Sequence, residues 1–280
     1  MLVEATMAGS PGPRAVHTLA VLGDSIGVGI GDPVAGGNWR GFAPLLAEAM
    51  GASRLVNLST SGARVSSMRT EQLRSAVAVR PDAAVLMAGM NDTMRSDFDP
   101  ARLSADLDRV MGGLRALGTI VVAVRYHDHS KVFRLPGPLR RMLTARISAY
   151  NAALEQTAAR HDVLVLDLAL LPNAYDRGYW SVDRLHPSEL GYRMLARGLA
   201  ERFVDAGVAV PDEISPHCSG GIRISTAQHV GWLLFKGVPW LCRRGKDLIP
   251  HVVATMVREA LADDPQPLAT EEPLPADPAA

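Results

Sequence analysis

Short apolar runs alternate with longer segments of helical periodicity over the first 206 residues. The runs are almost free of polar positions and are bounded by turn-forming residues, a pattern that predicts strands. They occupy 17–22, 54–58, 83–87, 119–124 and 163–167. The helical segments occupy 41–50, 68–78, 100–117, 140–160 and a stretch after Pro187 that runs to about Val204.

Apolar strands that alternate with helices predict the α/β class. Strands without polar alternation are typical of a parallel sheet covered on both faces. Right-handed crossovers then give a three-layer α/β/α sandwich around a five-stranded parallel sheet. The reactive groups of such sheets gather at the carboxyl ends of the strands. We therefore expect residues 1–206 to form one domain with its site at that edge.

The pattern changes after residue 206. Residues 207–225 are rich in Pro, Gly and Ser and are predicted to be a linker, and 226–262 return to an apolar and basic character that predicts a C-terminal helical extension. The tail 263–280 holds five acidic residues and no basic one, which predicts disorder. Two interpretations of 226–262 stay open: a helical hairpin packed on the sandwich, or a segment that contacts a membrane surface.

Overall composition excludes several functions. The 29 basic and 29 acidic residues give a formal net charge of zero, which argues against a nucleic-acid partner. Two cysteines cannot form a disulfide framework, and their surroundings lack the spacing of zinc ligands. We recognise no signal peptide and no apolar stretch long enough to span a bilayer, so a cytoplasmic location is expected.

The first candidate motif follows the first strand and reads Gly23-Asp24-Ser25-Ile26-Gly27. A serine on a tight turn after a buried strand can expose its hydroxyl. The segment lacks the third glycine of a dinucleotide fingerprint and the Gly-Lys pair of a phosphate loop. It does fit the G-x-S-x-G elbow of α/β-hydrolases, although that elbow normally follows several strands. A helix-capping serine is the remaining alternative.

The second motif, residues 181–187, lies just beyond the fifth strand and contains Asp183 and His186. One local turn can bring the Asp183 carboxylate to the His186 ring. Pro187 disfavours a helical conformation for His186 and suits the first turn of the next helix. A histidine held by a carboxylate is the base that activates a serine, although a lone D-x-x-H is more often a surface pair.

Two further motifs follow the second and third strands. Asn91, in Gly89-Met90-Asn91-Asp92, can aim its amide at a developing oxyanion, and Gly62 can offer an unhindered backbone N–H. Each is also an ordinary turn residue. Their shared position at the predicted carboxyl edge, together with the first two motifs, is difficult to attribute to chance.

Weaker candidates lie nearby. The segment His127-Asp128-His129 follows the fourth strand and is interpreted as the rim of a pocket, with a solvated loop equally open and metal binding poorly supported. Tyr175, Tyr179 and Trp180 precede the Asp183 motif. They are candidates for lining the acyl or alcohol pocket, although aromatic residues in such places more often serve packing.

Taken together, the GDS, Gly, GxND and DxxHP blocks resemble those of the SGNH/GDSL hydrolase family, over roughly Val16 to Val204. The resemblance implies the flavodoxin-like fold of that family, Ser25 as the nucleophile, His186 as the base and Asp183 as its partner. It implies an oxyanion hole formed by Ser25, Gly62 and Asn91, and an acyl-enzyme intermediate without cofactor or metal. Two departures are Ile26 in place of Leu in the first block and an arginine, Arg64, close to the glycine block.

We therefore expect a serine esterase or lipase that cleaves a small-molecule or lipid ester. A thioesterase or an acyltransferase uses the same triad, and the fold does not separate them. A module that binds a membrane surface or a partner through the C-terminal extension is a third hypothesis. The acyl length, the leaving group and the oligomeric state are not encoded in these motifs.

Overall fold

The predicted parallel sheet is present. The computed structural model describes residues 12–132, 135 and 137–222. Its five strands are β1 (Thr18–Gly23), β2 (Arg54–Asn57), β3 (Ala83–Met87), β4 (Ile120–Arg125) and β5 (Leu164–Asp167). They form one sheet in the order β2-β1-β3-β4-β5, and every neighbouring pair is parallel. The first and last residues of each predicted strand differ from those of an observed strand by at most one position.

Eight helices flank the sheet in the described part of the chain. They are α1 (Ser25–Val28), α2 (Phe42–Ala49), α3 (Val65–Ser67), α4 (Leu73–Val79), α5 (Met90–Thr93), α6 (Pro100–Arg115), α7 (Gly137–His161) and α8 (Glu189–Asp205). Helices α2 and α8 pack against each other, and α6 packs against both α4 and α7. The two groups cover opposite faces of the sheet, which gives the three-layer α/β/α sandwich.

The helix boundaries follow from capping side chains. The Asp99 carboxylate accepts hydrogen bonds from the first turn of α6, where Pro100 occupies the first position. The Ser188 hydroxyl caps α8 in the same way, so that helix begins at Glu189. The prediction that Pro187 lies in the first turn is wrong, because Ser188 takes the capping position and Pro187 precedes it.

The helix predicted over 68–78 extends in the structure from Val65 to Val79 and is interrupted in its middle. A π-helical turn, Met68–Gln72, lies between α3 and α4. This wider turn carries the Gln72 side chain into the core, where its oxygen accepts a hydrogen bond from Gly23 N–H at 2.8 Å and its nitrogen donates one to Gly23 O at 2.9 Å. The end of β1 is thereby fixed by a side chain from a different layer.

The core is the sheet itself with the inner faces of the helices. All five residues of β3 are buried, and β1 is buried from its second residue onward. Strands covered on both faces leave no polar face, which explains their unbroken apolar sequences.

Residues 207–222 lie against the sandwich. Ile214 is buried in the main core, and Ser219 N–H donates to Glu189 of α8 at 2.5 Å. Glu189 also accepts from Arg40, which forms a two-point ion pair with the fully buried Asp32. The division into 1–206, 207–262 and 263–280 stays a prediction, since 223–280 lie outside the described residues. No helix within the described ranges has the length and apolar character to cross a membrane.

Candidate active site

Ser25 is the first residue of α1, directly after β1. The cap of this helix is Asp24 and not Ser25, because the Asp24 carboxylate accepts a hydrogen bond from Ile26 N–H at 3.0 Å. The Ser25 hydroxyl is therefore free for another partner. Since Gln72 holds Gly23, two residues before Ser25, the position of the serine is fixed by this clasp and by the Asp24 cap.

The structure brings Ser25, His186 and Asp183 into one hydrogen-bonded chain. His186 Nε2 lies 2.7 Å from Ser25 Oγ, and His186 Nδ1 lies 2.6 Å from Asp183 Oδ2. A carboxylate accepts hydrogen bonds only, so Nδ1 carries a proton. In the neutral ring Nε2 is then bare, and the serine hydroxyl donates to it.

The Asp183 carboxylate stays ionised. Burial by itself raises the pKa of this group, but hydrogen bonds from the His186 ring and from the backbone N–H groups of Leu185 and His186 outweigh burial. The net result is a pKa below the usual value for aspartate. Asp183 thus holds both the ring of His186 and the turn that carries it.

The loop around His186 packs tightly against the loop after α1. Gly31 has φ +109, and a Cβ added there would lie 2.3 Å from Pro187 O and 3.1 Å from His186 Cβ. Only glycine accepts both the backbone angle and this approach. Gly31 therefore sets how closely the histidine loop approaches the serine.

Asn91 joins the group from the turn after β3. Its amide nitrogen donates to Ala63 O at 3.1 Å and lies 3.4 Å from Asp24 Oδ2, and its side chain lines the same cavity as Ser25. Gly62, the neighbour of Ala63, does not line that cavity. The glycine turn and the asparagine turn are thus in direct contact.

An ion pair between the buried Asp92 and the partly exposed Arg64 strengthens this contact. Asp92 accepts hydrogen bonds from Val65 N–H at 3.1 Å and Arg64 Nε at 3.2 Å. Burial raises the pKa of Asp92, and these two donors partly oppose the increase. Arg64, which departs from the family pattern, therefore connects the second and third blocks.

Sequence reasoning missed the residues that fix the turn after β3. Gly89 has φ +135, and a Cβ there would lie 2.1 Å from the Tyr150 ring. The Tyr150 hydroxyl donates to Ala88 O at 2.7 Å, and Arg146 donates to the carbonyls of Thr93 and Arg95. Both side chains come from the middle of α7, where the sequence shows only an amphipathic helix.

An apolar cavity opens beside Ser25, with an empty volume of about 590 Å³ that extends to open solvent. Its polar contributors are Asp24, Ser25, Asn91 and His186 of the site together with two histidines of the loop after β4. Most other lining side chains are apolar or aromatic: Ile26, Met87, Met90, Met94, Tyr126, Leu168, Leu171, Ala174, Tyr179, Trp180, Leu185, Pro187 and Leu195.

Only some of the weaker candidates from the sequence line the cavity. His127 and His129 line the cavity and are each 2% exposed, so the solvated-loop alternative is wrong for these side chains. Tyr179 and Trp180 also line it, whereas the ring of the exposed Tyr175 packs against His127 without lining it. No group of three or more His, Cys, Asp or Glu side chains in the described ranges could hold a metal ion.

Asp24 generates a prediction on stability. Burial raises its pKa from 3.8 to about 6, against the opposing effects of Ile26 N–H and His186. The pKa of Asp24 is higher in the folded protein than in the unfolded chain. The contribution of the Asp24 carboxyl group to stability is therefore complete below pH 3.8 and is lost as the pH rises through about 6. Asp24→Asn keeps a capping oxygen but cannot ionise.

We compare the free energies of unfolding of Asp24→Asn and the wild type at two pH values. The difference in favour of the variant should be about 2–3 kcal/mol larger at about pH 8 than at about pH 4. Urea unfolding of both proteins across this range measures the difference. Parallel pH profiles for the two proteins would contradict the assignment.

Solved structures with the same fold are esterases and related proteins. An acetylxylan esterase from Geobacillus stearothermophilus aligns with TM-score 0.55 and 18% identity, over 69% of this chain and 96% of its own. The psychrotrophic esterase EstA from Pseudoalteromonas sp. aligns with TM-score 0.53 and 15% identity, over 68% and 98%. The protein TesA gives TM-score 0.52 and 23% identity, over 66% and 97%. Because these sequence identities are low, the similarity to the three structures is a similarity of fold.

No curated protein matches the sequence. A family model does match, the GDSL-like lipase/acylhydrolase family, over residues 21–194. This span is well over half of the chain and includes Ser25, Gly62, Asn91, Asp183 and His186. The chain therefore belongs to the GDSL-like lipase/acylhydrolase family and is a hydrolase that acts on esters.

Proposed function

We propose that this enzyme cleaves a carboxylic ester through an acyl-enzyme intermediate on Ser25. The observation that carries the proposal is the chain of hydrogen bonds from Asp183 through His186 to Ser25 Oγ. His186 is the general base, and Asp183 is the residue that fixes its tautomer. This chain is the arrangement that activates a serine hydroxyl in unrelated folds.

The reaction divides into two steps. Ser25 Oγ attacks the ester carbonyl while its proton passes to His186 Nε2, and the imidazolium then protonates the departing alcohol. Water next attacks the acyl group on Ser25, with His186 again taking and returning the proton. The Asp183 carboxylate, kept ionised by its hydrogen bonds, stabilises the imidazolium in both steps.

The tetrahedral intermediates carry an oxyanion that needs donors. We assign Ser25 N–H, Gly62 N–H and Asn91 Nδ2 to it. Asn91 supports this assignment because it lines the cavity with Ser25, and its 3.4 Å contact with Asp24 is long enough to be exchanged for a better acceptor. The contact of the glycine turn with Asn91 supports the inclusion of Gly62.

The apolar cavity supports a substrate with a hydrocarbon portion. Thioesterase and acyltransferase activity remain alternatives that use the same residues. Membrane contact through 226–262 and the cytoplasmic location stay predictions, because neither rests on the described residues.

Ser25→Ala should lower kcat for p-nitrophenyl esters by at least about 10³-fold, because the covalent step loses its nucleophile. Ser53→Ala is the matched control: Ser53 precedes β2 at the amino end of the sheet, where its exposed hydroxyl donates to His17 O. The control should keep wild-type kcat, and both variants should keep the wild-type melting temperature. Full activity of purified Ser25→Ala would overturn the proposal.

Asn91→Ala should lower kcat by about 10²–10³-fold and change KM much less, because its amide binds the oxyanion more strongly than the ground-state carbonyl. Steady-state kinetics on a p-nitrophenyl ester separates the two constants. A raised KM at unchanged kcat would remove Asn91 from the oxyanion hole and assign it to substrate binding.

A further inference from the structure

His127 and His129 form a buried pair in the wall of the substrate cavity, and the proposed reaction does not use them. His129 Nε2 lies 3.0 Å from Arg184 O, and His129 Nδ1 lies 3.0 Å from His127 Nε2. The rings pack on Trp180, with centroid distances of 5.0 Å for His127 and 4.9 Å for His129. The pair is therefore held rigidly beside the loop that carries His186.

The direction of each hydrogen bond in this pair can be assigned. Arg184 O only accepts, so His129 Nε2 carries a proton. Burial lowers the pKa of His129 to about 3, which makes its ring neutral and leaves Nδ1 bare. The proton between the rings then belongs to His127 Nε2.

The same reasoning assigns the hydrogen-bonding role of His127 Nδ1. Burial lowers the pKa of this ring to about 4, so it too is neutral near pH 7. With its proton on Nε2, the other nitrogen, Nδ1, is a bare acceptor. It is buried and has no hydrogen-bond partner among the described residues.

A buried acceptor without a partner is costly, and such atoms in native proteins call for an explanation. Here the ring that carries it lines a cavity whose other walls are mainly apolar. The Tyr179 hydroxyl, also in the cavity wall, is likewise buried without a partner in the described part of the chain. Both rings contact Trp180. Two unpartnered polar groups thus lie beside Trp180, and the Tyr126 hydroxyl is a third in the cavity wall without a partner among the described residues.

We propose that His127 is a specificity residue, whose Nδ1 accepts a hydrogen bond from a hydroxyl group on the portion of the ester that enters this cavity. The preferred substrates are then hydroxylated esters and not plain hydrocarbon ones. This inference rests on the proposed ester hydrolysis at Ser25. The hydroxyl belongs either to the acyl group or to the alcohol, and the experiment separates these sources.

The experiment uses pairs of esters that differ by one hydroxyl. The acyl pair is p-nitrophenyl butyrate and its β-hydroxy analogue, and the alcohol pair is propyl butyrate and its ω-hydroxy analogue. The measured quantity is the ratio of kcat/KM for the hydroxylated and plain members. We expect wild-type enzyme to prefer the hydroxylated member of one pair by about tenfold to a hundredfold.

Two substitutions separate the acceptor from the packing of the ring. His127→Gln places an amide nitrogen near Nε2, which retains the donor to His129, but it has no acceptor at the Nδ1 position. His127→Asn places an amide oxygen near Nδ1 and loses the donor to His129. Tyr175→Phe is the matched control, because the Tyr175 ring packs on His127 while the residue is exposed and does not line the cavity.

The preference for the hydroxylated ester should fall to near unity in His127→Gln, remain in large part in His127→Asn and stay unchanged in Tyr175→Phe. Retention by His127→Asn keeps the test valid if His127→Gln does not fold. A wild-type ratio near unity for both pairs would overturn the inference and leave ester hydrolysis intact, as would equal losses on both members in His127→Gln. Failure of wild-type enzyme to cleave any of the four esters would instead overturn the proposed function.

Discussion

The hydrogen bond between Ser25 Oγ and His186 Nε2 joins two segments that are 161 residues apart in the chain. A single bond of this kind contributes little net stability, so it can form reproducibly only if both of its ends are fixed by other interactions. The serine end is fixed by Gln72, which satisfies both backbone groups of Gly23. The histidine end is fixed by Asp183, which accepts from the His186 ring and from two backbone N–H groups of its own turn.

The remaining contacts of the site connect neighbouring turns at the carboxyl edge of the sheet. Asn91 and Asp92 bind the glycine turn after β2, while Arg146 and Tyr150 of α7 hold the turn after β3. Each of these contacts buries a polar or charged group that has specific partners, which is favourable only in a fixed geometry. Burial raises the pKa of Asp24, so the apolar surroundings also impose an electrostatic cost beside Ser25.

Much of this architecture could be predicted from the sequence. The unbroken apolar strands predicted a covered parallel sheet, and the short motifs after them predicted which turns meet, because parallel strands bring their carboxyl ends to one edge. The clamp of Gln72 on Gly23 was not predictable, since it depends on a π-helical turn and on a contact across 49 residues. Burial of His127 and His129 was equally hidden, because both rings pack on Trp180, which lies in a loop distant in the sequence.

The central claim is that His186 activates Ser25 through their hydrogen bond. The most direct test is the rate and position of covalent labelling by a fluorophosphonate, determined by peptide mass spectrometry on wild-type enzyme and on His186→Ala. The account predicts that wild-type enzyme is labelled on Ser25 and that His186→Ala is labelled at least about 10³-fold more slowly. Labelling of a different side chain, or an equal rate in the variant, would contradict it.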